Sequence, residues 1–349
     1  SQRRWGWAGS AVAVALGSFL FARDTLQPNR VLAQVTEVDG GLIELADATG
    51  GRPLAVGDTV HPRQSLRTGG GQGAVVTLND GSTIEMGPRA ELALASRWDG
   101  LAVELARGDV IVHAAPQGRG RLRVATSDVD VAVKGTIFAV RHGTKGSRVS
   151  VVEGEVEVAG ARGRRTLLPG MQYASHAAIA TVPVADDVAW SRHGAEYREL
   201  LAALDRLGTA IDASVPLPAP RTASALLDAV PADTVVFVAL PNLGPALADA
   251  YTRFRAGVAA DPALRDWWMG SIEDAAVEAR LDAAIAALGD LGTALGDEVV
   301  IAAGADGAGD GDAPLLLAET TDRAAARVFF ETRLAELAAE LPGEGAPDR

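Results

Sequence analysis

The sequence predicts an α+β, multidomain chain: a single transmembrane helix at the N-terminus, an all-β domain of short strands arranged as a sandwich or solenoid, and a C-terminal ferredoxin-like α/β domain that is incomplete. Three observations predict it. An uncharged apolar run of 18 residues lies between Arg4 and Arg23. From Val31 to about residue 175, apolar and polar residues alternate at period two in short pieces separated by Gly and Asp. Beyond residue 222, strand-like and helix-like stretches follow one another. The 349 residues divide accordingly into 1–23, 30–175, 176–221 and 222–349.

The N-terminal element rests on length and flanking charge. At about 1.5 Å per residue, Trp5–Ala22 spans roughly 27 Å, close to the ~30 Å hydrocarbon core of a bilayer. Trp5 and Trp7 supply an interfacial belt, and Leu16, Phe19, Leu20 and Phe21 supply the apolar body that would meet lipid. Arg3 and Arg4 ahead of the run keep the N-terminus cytoplasmic, so the bulk of the chain would lie in the periplasm behind a bacterial inner membrane. A cleavable signal peptide is the other reading, although a cut at Ala13-Val14-Ala15 would leave a very short apolar region.

Next come the short strands, among them Val31–Val38, Gly73–Leu78, Ser82–Met86, Glu91–Leu94, Leu101–Leu105, Asp109–His113, Leu122–Ala125, Val129–Val133, Thr136–Val140, Arg148–Val152 and Glu155–Val158. Asn79-Asp80-Gly81 is a hairpin signal, because Gly supplies the positive φ such turns need. The series Gly57-Asp58, Leu66-Arg67-Thr68-Gly69, Ala74 to Pro88, Gly108-Asp109-Val110, Val124-Ala125-Thr126, Val133-Lys134-Gly135-Thr136-Ile137-Phe138, Val151-Val152-Glu153-Gly154-Glu155-Val156 and Leu168-Pro169-Gly170-Met171-Gln172 resembles FecR-domain proteins over residues 54–175. The resemblance implies a periplasmic β domain without catalytic activity. In signalling members such a domain relays an outer-membrane signal to a cytoplasmic sigma factor. Those members carry a substantial cytoplasmic segment ahead of the membrane helix, and only Ser1–Arg4 precede it here.

Residues 186–211 present Tyr197, Leu200, Leu204, Leu207 and Ile211 on one face and read as an amphipathic helix, followed by a linker holding Pro216, Pro218 and Pro220. Val235–Leu240 reads as a buried strand, Leu243–Val258 as helical, and Val277, Leu281, Ile285 and Leu288 mark a longer helix. Glu298–Ala303 and Pro314–Glu319 read as strands, and Thr321/Asp322 caps a last helix. This β-α-α-β-β-α order fits a ferredoxin-like split unit without its final strand, and the chain is expected to continue past Arg349. The segments around Val230–Gly244, Trp267-Trp268 and Leu295–Glu298 also resemble an uncharacterised domain that often follows FecR domains.

Composition excludes several chemistries. The chain has no cysteine, hence no disulfide, thiolate metal site, iron–sulfur cluster or cysteine nucleophile. The net charge of −13 divides into +2 for residues 1–22, +1 for 23–175 and −16 for 176–349. So acidic a half repels nucleic acid, and no nucleic-acid partner is expected. The five histidines show no HExxH spacing and no i,i+4 pair, and Asp306, Asp310 and Asp312 miss the EF-hand spacing, so no metal site is expected. Thr68–Gly73 is a tight turn without the helix that phosphate cradling needs, and Asp128 and Asp130 share one strand face as a carboxylate pair on its wet side. No cofactor is expected either: C-x-x-C-H is absent, and the apolar run contains no histidine for a chlorophyll.

What remains are contact surfaces. Arg119, Arg121 and Arg123 form one basic cluster and Arg162, Arg164 and Arg165 another, and Trp267-Trp268 is a candidate contact because Trp and Arg are enriched at interface hot spots. The sequence thus points to a non-enzymatic, membrane-anchored periplasmic protein-interaction module. It would serve as an accessory or scaffold subunit beside other membrane or periplasmic proteins, a photosynthetic reaction-centre and light-harvesting assembly being one compatible complex. The alternatives are a FecR-type signalling transducer that regulates a sigma factor and a cell-envelope glycan-binding module.

Overall fold

The computed structural model describes residues 31–45, 51–97, 100–115, 121–133, 135–216, 218, 223–272, 274–304 and 315–340. The chain forms two compact units, Ser1–Leu201 and Ala202–Arg349.

The first unit is a two-layer β structure. One layer runs β4 (Thr59–Val60), β1 (Ala33–Asp39), β6 (Gly73–Leu78), β7 (Thr83–Met86), the C-terminal half of β9 (Gly100–His113), β12 (Ile137–Gly143), β13 (Gly146–Glu153) and β16 (Gln172–Ala174). The other runs β3 (Gly51–Leu54), β2 (Leu42–Leu45), β5 (Ser65–Thr68), β8 (Glu91–Arg97), the N-terminal half of β9, β10 (Arg121–Ala125), β11 (Val129–Val133), β14 (Val156–Gly160) and β15 (Gly163–Leu167). Neighbours are antiparallel except β9 and β10, which are parallel. Alternate residues of both layers, among them Val35, Val76, Ile84, Val112, Phe138 and Val149 from one and Leu42, Leu66, Leu92, Val103, Val131 and Val158 from the other, meet in a single buried core.

Strand β9 belongs to both layers. Residues 100–107 pair with β8, while residues 108–113 pair with β12 and residues 110–113 with β7. The change occurs at Gly108, whose φ is +93°. A Cβ there would lie 2.4 Å from the Cα of Ala90, in the segment that carries the chain from β7 to β8. The buried Thr68 hydroxyl ties that segment down: it donates to the Gly87 carbonyl at 2.6 Å and accepts from the Ala90 amide at 3.0 Å. A second crossing is as tight. Gly154 sits between β13 and β14 with φ +78°, and a Cβ would meet Thr136 Cγ2 at 2.6 Å in the passage from β11 to β12.

A short helix, α1 (Val184–Asp187), lies on β13 through a buried ion pair. Arg148 donates through Nε to Asp187 Oδ2 at 3.0 Å and through Nη2 to Oδ1, and its Nη1 reaches the Ala180 carbonyl at 2.9 Å. Ser150 completes the set, donating to Asp187 Oδ2 at 2.6 Å. The single helix expected over 186–211 is in fact two, α1 and α2 (Gly194–Ser214). Glu85 of β7 takes the Arg192 amide at 3.0 Å and the Ser191 hydroxyl at 2.6 Å, drawing the intervening backbone out of a helical path.

The second unit holds β17 (Thr234–Pro241), α3 (Gly244–Ala260), α4 (Pro262–Ser271), α5 (Ala275–Ala294), β18 (Leu295–Gly304), β19 (Leu315–Thr320) and α6 (Arg323–Glu340). Asp261, Asp274 and Asp322 cap α4, α5 and α6, Asp261 and Asp274 each accepting one backbone amide of the following turn and Asp322 two. The sheet order is β17-β18-β19, antiparallel throughout.

The predicted fold class needs correction. Among the described residues no helix is long and apolar enough to cross a membrane. The long helices carry charges along their length, as Glu196, Arg198, Glu199, Asp205, Arg206 and Asp212 do in α2. The chain is strand-rich, and the expected anchor, including Trp5, Trp7, Leu16, Phe19, Leu20 and Phe21, lies outside the described residues. The ferredoxin-like reading also fails. A split unit would insert its third strand between the first two, whereas three helices here return β18 antiparallel beside β17. Nor is β17 buried: Val235 is 65% exposed and Val236 49%, because α3, α4 and α5 pack on one another.

Gly108→Ala is expected to lower unfolding free energy by about 2–4 kcal/mol, the cost of a left-handed φ plus backbone displacement, read as a lower urea midpoint. Asp187→Asn strands a buried guanidinium and is expected to cost about 3–5 kcal/mol in the same measurement.

Candidate functional site: a polar groove at one end of the sandwich

The groove, about 950 Å³, is lined by five segments of the first unit: Arg89 after β7, Ala106–Gly108 at the β9 kink, Ser127 and Asp128 between β10 and β11, His142–Gly146 around the β12–β13 hairpin, and His176 after β16. Each segment is there because a strand ends or changes layer at that point. Arg89 occupies the third position of the turn Gly87–Ala90 with φ +59°, and its amide is held by the Gly69 carbonyl at 3.0 Å.

Asp128 organises the floor. Its carboxylate accepts from Thr126 Oγ1 at 2.9 Å and from the Ser147 amide at 3.0 Å, and the Ser147 hydroxyl also donates to it. Burial pushes its pKa up, but hydrogen bonds from Ser147, Ser175 and Thr126 outweigh burial and bring it down to about 2. His142 is mostly enclosed, its Nδ1 at 2.9 Å from Ser147 Oγ and its Nε2 at 3.3 Å from Ser127 Oγ. His176 is open to solvent with Nε2 3.7 Å from Asp128 Oδ2. Among the described residues no group of three His, Asp or Glu side chains is placed to hold a metal ion.

The sequence singled out Asp128, but as half of a pair. The two carboxylates part: Asp128 turns into the groove floor, while Asp130 is bound by Arg123 at 2.8 Å. His142 and His176 come to Asp128 from distant segments, with no sequence spacing that announces it.

The other candidates disperse. Arg119 lies outside the described residues, and Arg121 is on β10. Arg164 of edge strand β15 bonds Glu157 at 2.8 Å, and Arg162 and Arg165 are exposed on that strand and its turn. In register, β11 and β14 stand between β10 and β15, so Asp130 and Glu157 interrupt the two arginine clusters. Trp267 and Trp268 are half-buried on α4. Trp268 packs edge-on against Phe254 at 5.0 Å, donates Nε1 to Glu278 at 2.9 Å, and lies beneath the Arg255 guanidinium at 5.5 Å. The acidic loop with Asp306, Asp310 and Asp312 lies outside the described residues.

Layers exchanging strands through tight crossings, with a polar groove at one end, define an all-β module that presents loops rather than a cleft between domains. Residues 64–157, from the turn before β5 into β14, match the family described as FecR protein, so this stretch carries a FecR domain. No curated protein matches the chain. Two crystal structures of a protein from Parabacteroides distasonis, provisionally described as an anti-sigma factor, are similar at 25% identity with a TM-score of 0.29. The similarity covers 31% of this chain and 52% of that one, about half its length.

Asp128→Asn tests the floor. A carboxylate whose folded pKa is depressed contributes stability above its unfolded value, near 3.8, and loses it as pH falls toward about 2. The wild type is therefore expected to exceed the variant at pH 7 by on the order of 1 kcal/mol after solvent screening, with the gap closing between pH 4 and pH 2 in urea titrations.

Proposed function

We propose that this protein is a FecR-type signalling regulator: a non-enzymatic, extracytoplasmic module that binds a partner protein and relays its state to a sigma factor. The observation that carries this is the FecR family match over residues 64–157. It spans the β9 layer change and the Gly135–Thr136/Gly154 crossing, so it covers the framework of the sandwich rather than one loop. The scaffold reading rests on the short stub and the anchor segment together with the FecR-like module and the lack of a catalytic constellation; the family match supports regulation better.

Transcript profiling of cells with and without the protein tests the reading. Loss of the protein is expected to change one coherent set of sigma-dependent transcripts several-fold, and Gly154→Val, which jams a crossing, should reproduce that change. An unaltered transcriptome in both strains overturns it.

A further inference from the structure

The groove is cationic on a chain that is not. Arg89, Arg107 and Lys145 line it together with His142 and His176, and Asp128 is the one carboxylate among its lining residues. Asp128 is engaged by Thr126 and Ser147 and does not reach out to cancel the arginines. Arg107 bonds Glu91 at 3.1 Å, but Glu91 also takes Arg67 at 2.7 Å, so two guanidinium groups share one carboxylate. Among the described residues neither Arg89 nor Lys145 has an ion-pair partner, and both side chains are exposed. With neutral histidines the lining carries a net positive charge, whereas the whole chain carries −13.

Shape narrows the ligand. A space of about 950 Å³ is at the upper end of small-molecule sites, which run roughly 300–1,000 Å³, and it exceeds what one inorganic anion fills. The permanent cations stand on three separate segments: the turn after β7, the β9 kink and the β12–β13 hairpin. Gly143 leaves backbone open among them, with nothing within 4 Å of where a Cβ would stand. Spaced cations with accessible backbone suit a chain bearing carboxylates at intervals, since guanidinium groups pair with carboxylates through charge-assisted hydrogen bonds.

We propose that this groove is the docking site for an acidic peptide segment of a partner protein, held by Arg89, Arg107 and Lys145 with His176 at the mouth and the Asp128–Ser147–His142 cluster as a fixed floor. That the partner is a protein rests on the signalling reading; the cationic site itself does not.

The test is fluorescence anisotropy of the full chain with a labelled octapeptide of alternating Asp and Glu at 0.15 M salt. Saturable binding is expected. Lys145→Glu and Arg89→Gln should each weaken it roughly tenfold, whereas Arg162→Glu on the β15 turn should leave it unchanged. Urea midpoints equal to wild type show that the variants are folded. Equal affinity in the groove variants, an equal loss in Arg162→Glu, or displacement of the peptide by inorganic phosphate or galacturonate at matching concentration overturns the proposal. A normal transcript response with no peptide binding removes the groove and leaves regulation standing. Peptide binding with an unaltered transcriptome does the reverse.

Discussion

The first unit depends on one steric fact: the chain must pass from layer to layer where no side chain fits. At Gly108 the backbone of β9 touches that of Ala90, and the Thr68 hydroxyl fastens the same segment from the other side. Because β9 carries strand neighbours on both layers, the contact fixes the stacking of the two sheets as well as the path of one strand. It also gathers loops. Turns belonging to different layers end beside the kink, and the groove is the space they leave. Fold and site therefore share an origin: a close-packed crossing inside the unit and a polar recess at its rim.

Much of the strand pattern was legible in the sequence. Gly73–Leu78 is read and found as β6 with the same ends, because alternation and the Asn79-Asp80-Gly81 turn agree. The sequence reads strand β9 as two, Leu101–Leu105 and Asp109–His113, on either side of Gly108, where the structure shows the inward-facing phase to change. Periodicity registers that change but cannot say that the chain runs straight on into another sheet. The run Val235–Leu240 misled for a different reason. Continuous apolar strands usually have both faces covered, and burial depends on partners that lie elsewhere in sequence.

The site was less legible. Spacing along one strand marked Arg121 and Arg123 as basic, but the acids that interrupt the patch, Asp130 and Glu157, come from the next strands. Asp128 stands out in the sequence by its distance from Asp130, whereas its hydrogen-bond partners are Ser147 and Thr126, with His142 Nδ1 at 3.5 Å. Turn residues carry this cluster. Their convergence is a property of topology: the β10–β11 turn and the β12–β13 hairpin belong to different layers and meet where the layers stack.

The sharing of β9 has a kinetic side. Strands β1 to β8 occupy one flank of β9 in both layers, and β10 to β16 occupy the other. A nascent chain finished through His113 can already close its first half, leaving both opposite edges of β9 as templates. The later strands then add to preformed edges, which shortens the search that non-local pairing otherwise imposes. The same edges, bare until residue 121 and beyond arrive, are where two immature copies would join. A cell making this protein would need to keep that interval short.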